Sequence, residues 1–271
     1  MAAGSIGLIA WHVFKDGARS RTLVSLIGFA FALFGLSLLL GQLSAGQDLK
    51  IIKDIGLSVI ELSGVLMAVL LGVGLVAKEI ERRSIYPLLA RPIRRADFIV
   101  GKYIGLVATL AVNVAVMTVA LYLVLGYILW SSPVALRLSW EAPALDPSII
   151  TASLLIVAEL AVLTAVSLFF STFSSSVLWS TLFSLGVYVA GSMSAQLREL
   201  AAAVGSRAAG LFGQVVGVVL PAFSAFDVKS QVVHGLSVPV PFVLMTLGYA
   251  AVYSAAVLVA AAVVFSRRNF E

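Results

Sequence analysis

The chain has 271 residues, of which 61% are apolar and only 11% charged, with a formal net charge of +5. Soluble domains carry about 25% charged residues, so too few polar side chains are present here to cover a water-facing globule. Together with a mean hydropathy of +1.09, this excludes an ordinary cytosolic enzyme and a disordered tail, and leaves an all-α polytopic membrane protein.

The N-terminal stretch, 1–21, reads as an amphipathic helix on the inner membrane surface. Ile6, Ile9, Ala10 and Val13 recur at helical spacing, with His12, Lys15, Asp16 and Arg19 largely off that stripe. It does not read as a cleaved signal, because its basic residues sit too far in and a full-length apolar run follows. About 20 apolar residues cross the hydrocarbon as a helix. On that measure six spans are predicted: Thr22–Gly41, Gly56–Ala77, Ile104–Trp130, Ser148–Ser171, Val177–Ala195 and Val240–Phe265. Asp146-Pro147 supplies a cap and a first-turn proline for the fourth, and Pro239 and Pro241 open the sixth. The Ser-rich run from Ser171 to Ser176 reads as a short inner turn. Residues 196–239 contain an apolar stretch, Ala208–Leu220, that is too short to span, and read as one or two outer-face helices, or a re-entrant piece ended by Pro221. The whole of 1–271 is then one membrane domain.

Cations set the orientation. Lys15, Arg19 and Arg21 precede the first span. Lys78, Arg82, Arg83, Arg91, Arg94, Arg95 and Lys102 lie between the second and third, and Arg267 and Arg268 close the chain. The opposite side holds Lys50, Lys53, Arg137, Arg198, Arg207 and Lys229. Both termini are therefore expected in the cytoplasm, and the excess of positive charge is topological rather than a nucleic-acid signal. Cysteine is absent and histidine occurs only at His12 and His234, so neither a disulfide framework nor a soft-metal ligand set is expected.

Within the spans, Glu61, Asn113 and Glu159 stand out. A carboxylate at the centre of a membrane helix costs roughly 2.5–3.5 kcal/mol on insertion scales. Such groups should face protein or water, either lining a conduit or bonding between helices. The other informative stretch is 78–103. It mixes cations, acids and the apolar patch Ile85, Tyr86, Leu88 and Leu89, and Pro87 and Pro92 break it into short pieces. Apolar knobs within a charged rim suit docking to another protein.

In this stretch, Glu79-Ile-Glu-Arg-Arg-Ser, Leu88-Leu-Ala-Arg-Pro, Arg94-Arg-Ala-Asp-Phe and Gly101-Lys-Tyr-Ile-Gly resemble the cytoplasmic signature of ABC-2 type transporter permeases. The closing Phe265-Ser-Arg-Arg-Asn-Phe and the opening Ala10-Trp-His-Val-Phe-Lys resemble that family's ends. The nearest resemblance is to the multi-copper-enzyme (nitrous-oxide reductase) maturation group. It implies a six-span permease of the type V exporter kind in a prokaryotic inner membrane. Two copies would pair around the translocation path and bind two separate ABC ATPase subunits, with a periplasmic accessory protein as a further partner. Ser84, Ile85, Tyr86, Leu88 and Leu89 would form the coupling helix, flanked by Glu79, Glu81, Arg82 and Arg83. ATP and Mg would be held by the ATPase and no cofactor by this chain, since Gly101-Lys102 lacks the rest of a phosphate-binding loop. The competing classes are an ion-coupled secondary transporter and an intramembrane enzyme. Glu61 and Glu159 are too dispersed to argue for the first, and the chain lacks the His-Glu-x-x-His pair that a metalloprotease would need.

Overall fold

The computed structural model describes residues 2–20, 24, 27–28, 31–35, 48–81, 95–137, 140, 142–174, 176–204, 217 and 219–267. Among these every regular element is helical. They are α1 (Ala2–Ala18), α2 (Asp48–Glu81), α3 (Arg95–Ser131), α4 (Val134–Arg137), α5 (Ser148–Phe173), α6 (Val177–Ser192), α7 (Ser194–Val204), a 3-10 turn (Phe223–Phe226), α8 (Lys229–Val233) and α9 (Val240–Arg267).

Among the described residues, four helices are long and apolar enough to cross a bilayer: α2, α3, α5 and α9. α6 is apolar throughout but has 16 residues, or about 24 Å at 1.5 Å per residue. It ends at Ser192, short of the expected Ala195, because Met193 leaves the helical region. Most of the first expected span lies outside the described residues; within it, 31–35 are helical. Helices α2 and α3 outrun the expected spans. α2 begins at Asp48 rather than Gly56, and α3 begins at Arg95 rather than Ile104. Hydropathy windows stop at the first charges, whereas the backbone keeps its hydrogen-bond ladder past them.

The centre is a three-helix core of α2, α3 and α5, whose register is fixed by polar contacts. Thr118 and Ser153 share a hydrogen bond of 2.8 Å, and the Tyr122 hydroxyl donates to the Asp146 carbonyl at 2.7 Å. Rising residue numbers on α3 thus meet falling numbers on α5, so the two helices are antiparallel. Ser63 Oγ lies 3.3 Å from Met117 Sδ, and Gly56 abuts Leu121, so α2 is antiparallel to α3 as well. Ser171 Oγ donates to the Val73 carbonyl at 3.1 Å, and Gly64 abuts Leu160, which makes α2 parallel to α5. The connections 132–147 and 193–239 therefore share one end, termed upper. The turn 174–176 and the ends of α2 and α3 that flank 82–94 share the other, termed lower. Leu57, Ile60, Met67, Met117, Leu160 and Leu163 fill the space between these helices and are fully buried. α9 lies along α5.

Capping chemistry sets the start of α5. The Asp146 carboxylate accepts the Ser148 backbone N–H at 2.9 Å, its carbonyl accepts that of Ile149, and Pro147 sits at the cap position rather than in the expected first turn, where no N–H is needed either. Lys53 pins the same connection: fully buried on α2, it donates to the Pro143 carbonyl at 2.7 Å. At the lower end, Ser171 and Thr172 belong to the last turn of α5 and are fully buried, so the expected turn is shorter than Ser171–Ser176. Ser174 and Ser176 there are extended, which ends one helix and opens the next.

Candidate functional site

Three acids and one lysine converge near the upper end of the core. Glu61 on α2 forms an ion pair with Lys229 at the start of α8. The Tyr188 hydroxyl on α6 donates to the other Glu61 oxygen at 3.0 Å. Asp227 lies 3.7 Å from the Lys229 ammonium and caps α8 by accepting the Lys229 backbone N–H at 3.1 Å. Glu159 on α5 is buried within electrostatic reach of Glu61, Lys229 and Asp227. Burial lowers the pKa of the Lys229 ammonium, but the hydrogen bond and charge of Glu61, with Asp227 and Glu159 behind it, outweigh that effect. The group is held above the ordinary lysine value and carries its charge at neutral pH.

Asn113 takes its place through the register. Counting toward the lower end, it lies five residues from Thr118 while Glu159 lies six from Ser153, about 8 Å in each case. The two side chains therefore occupy similar depths, and Glu61 lies closer to the upper end. Asn113 is buried, and among the described residues neither its Oδ1 nor its Nδ2 has a hydrogen-bond partner. Glu61 and Glu159 are thus brought together, and Asn113 lies level with the second of them.

Lys229, Tyr188 and Asp227 are members of this cluster that sequence reasoning missed. Lys229 and Asp227 sit in a segment that reads only as outer-face helices or a re-entrant piece, and Tyr188 looks like one aromatic among many. A carboxylate inside a span with no cation within two turns of it on its own helix was the available signal, since it demands a partner from elsewhere.

The coupling set falls differently. Glu79 and Glu81 lie in the last turn of α2, without described side chains. Arg82, Arg83, Ser84, Ile85, Tyr86, Leu88 and Leu89 lie outside the described residues. What is described is how the flanks of this stretch are held. The expected α1 stripe packs on the start of α3: Ile9 faces Gly101, and Ala10 and Val13 face Gly105. On another side of that start, Phe98 stacks on Phe265 of α9 at 6.1 Å, and Lys102 sits 4.3 Å above the Phe98 ring.

His12 and His234 are both exposed. His12 is 3.8 Å from Asp16 and His234 Nδ1 is 2.8 Å from the Ser230 carbonyl. Among the described residues no group of His and acids is arranged to hold a metal ion. The chain matches the family described as ABC-2 family transporter protein over residues 8–269. Among curated proteins none matches it.

Proposed function

This chain belongs to the ABC-2 transporter family, and from that membership we propose that two copies pair as the permease of an ABC transporter and are driven by two separate ATPase subunits. Each copy crosses a prokaryotic inner membrane six times, with both termini in the cytoplasm. The first span and the short α6 complete the set begun by α2, α3, α5 and α9. Twelve cations on the lower side, against six on the upper, support that orientation. A periplasmic protein can then meet the upper face. Within the family, the chain's resemblance to the multi-copper-enzyme maturation permeases supports that subgroup. With no Cys and two exposed His far apart in sequence, the chain itself is not a copper path.

The match over almost the whole chain carries this reading. The geometry around 82–94 supports it. Docking free energy moves the spans only if the docked piece is rigidly joined to them. α2 continues unbroken to Glu81 and α3 resumes at Arg95, so the coupling stretch hangs between two continuous helices of the core. α1 and the end of α9 brace the start of α3. Motion delivered by an ATPase groove to Glu81 and Arg95 would then be carried along α2 and α3. Glu61, Asn113 and Glu159 supply the polar lining through which the motion acts.

The test is co-purification. Replacing Ile85, Tyr86, Leu88 and Leu89 by Asp should release the ATPase subunit while the permease still reaches the membrane. An ATPase that stays bound to this variant would remove the coupling role.

A further inference from the structure

We propose that residues 219–233 are a movable plug at the upper end of the permease, held shut by the Lys229–Glu61 ion pair and by two tyrosine hydroxyls of α9. The proposal rests on the transporter reading for its purpose, but its geometry stands apart from it.

The segment reaches deep. The Tyr253 hydroxyl donates to the Val219 carbonyl at 2.8 Å, and the Tyr249 hydroxyl accepts the Ala222 N–H at 3.0 Å. Tyr253 is near the midpoint of α9, so the helical Val219 and the irregular backbone of 220–222 that follows it sit well down a membrane helix. Irregular backbone survives there only where protein or a cavity satisfies it. Two tyrosines one turn apart provide a donor and an acceptor, and Pro221 between the two bonded residues has no N–H to satisfy.

Its attachment is made of separable contacts. Phe223 and Phe226 are buried against Tyr188 and Tyr249, with ring centroids 5.3 Å and 6.2 Å apart. Gly191 lets the Pro221 carbonyl and the Phe223 ring approach α6, where a Cβ would come within 2.5 Å of that carbonyl. Val232 is fully buried. Lys229 reaches across to Glu61, which Tyr188 orients from the other side. Beyond α8 the chain turns at Gly235, whose φ of 69° lies in the region that favours glycine, and then enters α9. The plug is thus tied to α2, α6 and α9 by side chains and hinged at the α9 end. It packs over α5, the helix that carries Glu159. Lifting it would exchange one ion pair and two hydroxyl bonds for water and would open the buried acid to the upper side. An ATP-driven shift of α2 would pull Glu61 away from Lys229 and so release the plug.

The experiment uses the absence of native cysteine. Val232→Cys is introduced into the permease, the complex is purified with its ATPase in lipid nanodiscs, and the rate of modification by a bulky charged maleimide is measured. Modification should be slow without nucleotide and about tenfold faster during ATP turnover. Adding Lys229→Ala should give the fast rate without nucleotide. Exchanging the charges, Glu61→Lys with Lys229→Glu, should restore most of the protection; this variant also separates loss of the latch from misfolding. Equal rates in the Lys229→Ala and parent backgrounds, or no return of protection in the exchanged pair, would overturn the latch. Protection that is indifferent to ATP in a complex that hydrolyses it would overturn the plug's movement. If no ATPase associates, the transporter reading fails instead, and the nucleotide-free comparison still decides whether the latch exists.

Discussion

A buried amide with nothing to bond is a cost that evolution keeps only for a reason. Leaving a polar group unsatisfied in a protein interior costs about 1–3 kcal/mol, whereas an apolar side chain of similar shape can be neutral or stabilising. Among the described residues Asn113 is in that position on α3, level with Glu159. Asn113→Leu should therefore raise the unfolding free energy of the purified complex by about 1 kcal/mol, read as a higher thermal midpoint, while slowing ATP-driven turnover. A fall in stability would mean that the amide has a partner, and would remove Asn113 from the polar lining. At this scale the sequence was informative in one direction only. A carboxylate or amide inside an apolar run is conspicuous, so Glu61, Asn113 and Glu159 stood out. Their partners did not, because hydropathy gives Lys229 and Tyr188 no address. The pair Glu61–Lys229 spans 168 positions and exists only once 219–233 folds back onto the core.

Between elements, small residues decide how close two helices come. At Gly105 an added Cβ would lie 2.5 Å from the Ala10 carbonyl and 2.8 Å from the Val13 Cβ, and at Gly101 it would lie 2.9 Å from Ile9. Helix α1 is thus seated on bare backbone near the start of α3. Overpacking such a contact costs about 1–3 kcal/mol, and Gly105→Val adds bulk where the obstacle is another helix's main chain. Trypsin should then cut faster at the exposed Lys15 and Arg19, and ATP turnover should drop. Gly126→Val, where nothing lies within 4 Å, should do neither. Unchanged cleavage in Gly105→Val would mean that α1 is not held by this contact. The spacing of Ile6, Ile9, Ala10 and Val13 made the helix and its apolar stripe legible. It did not reveal that the stripe faces a protein helix, because a membrane surface and a neighbouring helix ask for the same periodicity. Span starts and ends were legible where proline and caps mark them, as at Asp146-Pro147. They were misjudged where charged turns continue the ladder, as at the start of α3.

At the scale of the assembly, the proposed pairing of two copies raises the question of which face each presents. The described spans do not bury themselves equally: 72% of the apolar window of α5 is buried but only 22% of that of α9. Exposed area alone would nominate α9, where Met245 and Val252 lie one heptad apart on one side. The polar cluster argues otherwise. A path shared between two copies must run close to the charged and hydroxyl groups that line it, and the helix that separates those groups from the outside is α6. Tyr188 points inward to Glu61, while Trp179, Leu182, Phe183 and Val189 are exposed. Trp179 and Phe183 stack at 6.0 Å and Phe170 extends the row, so the surface is aromatic and already ordered, as interface cores tend to be. At about 24 Å, α6 is also too short to cover the hydrocarbon alone, which a partner helix would correct. Cysteine at Leu182 or Val189 should therefore cross-link two copies in native membranes, and cysteine at Met245 or Val252 should not. The reverse pattern would move the interface to α9 and leave the Glu61–Lys229 cluster facing away from the shared path, so that any conduit would have to run through each copy by itself.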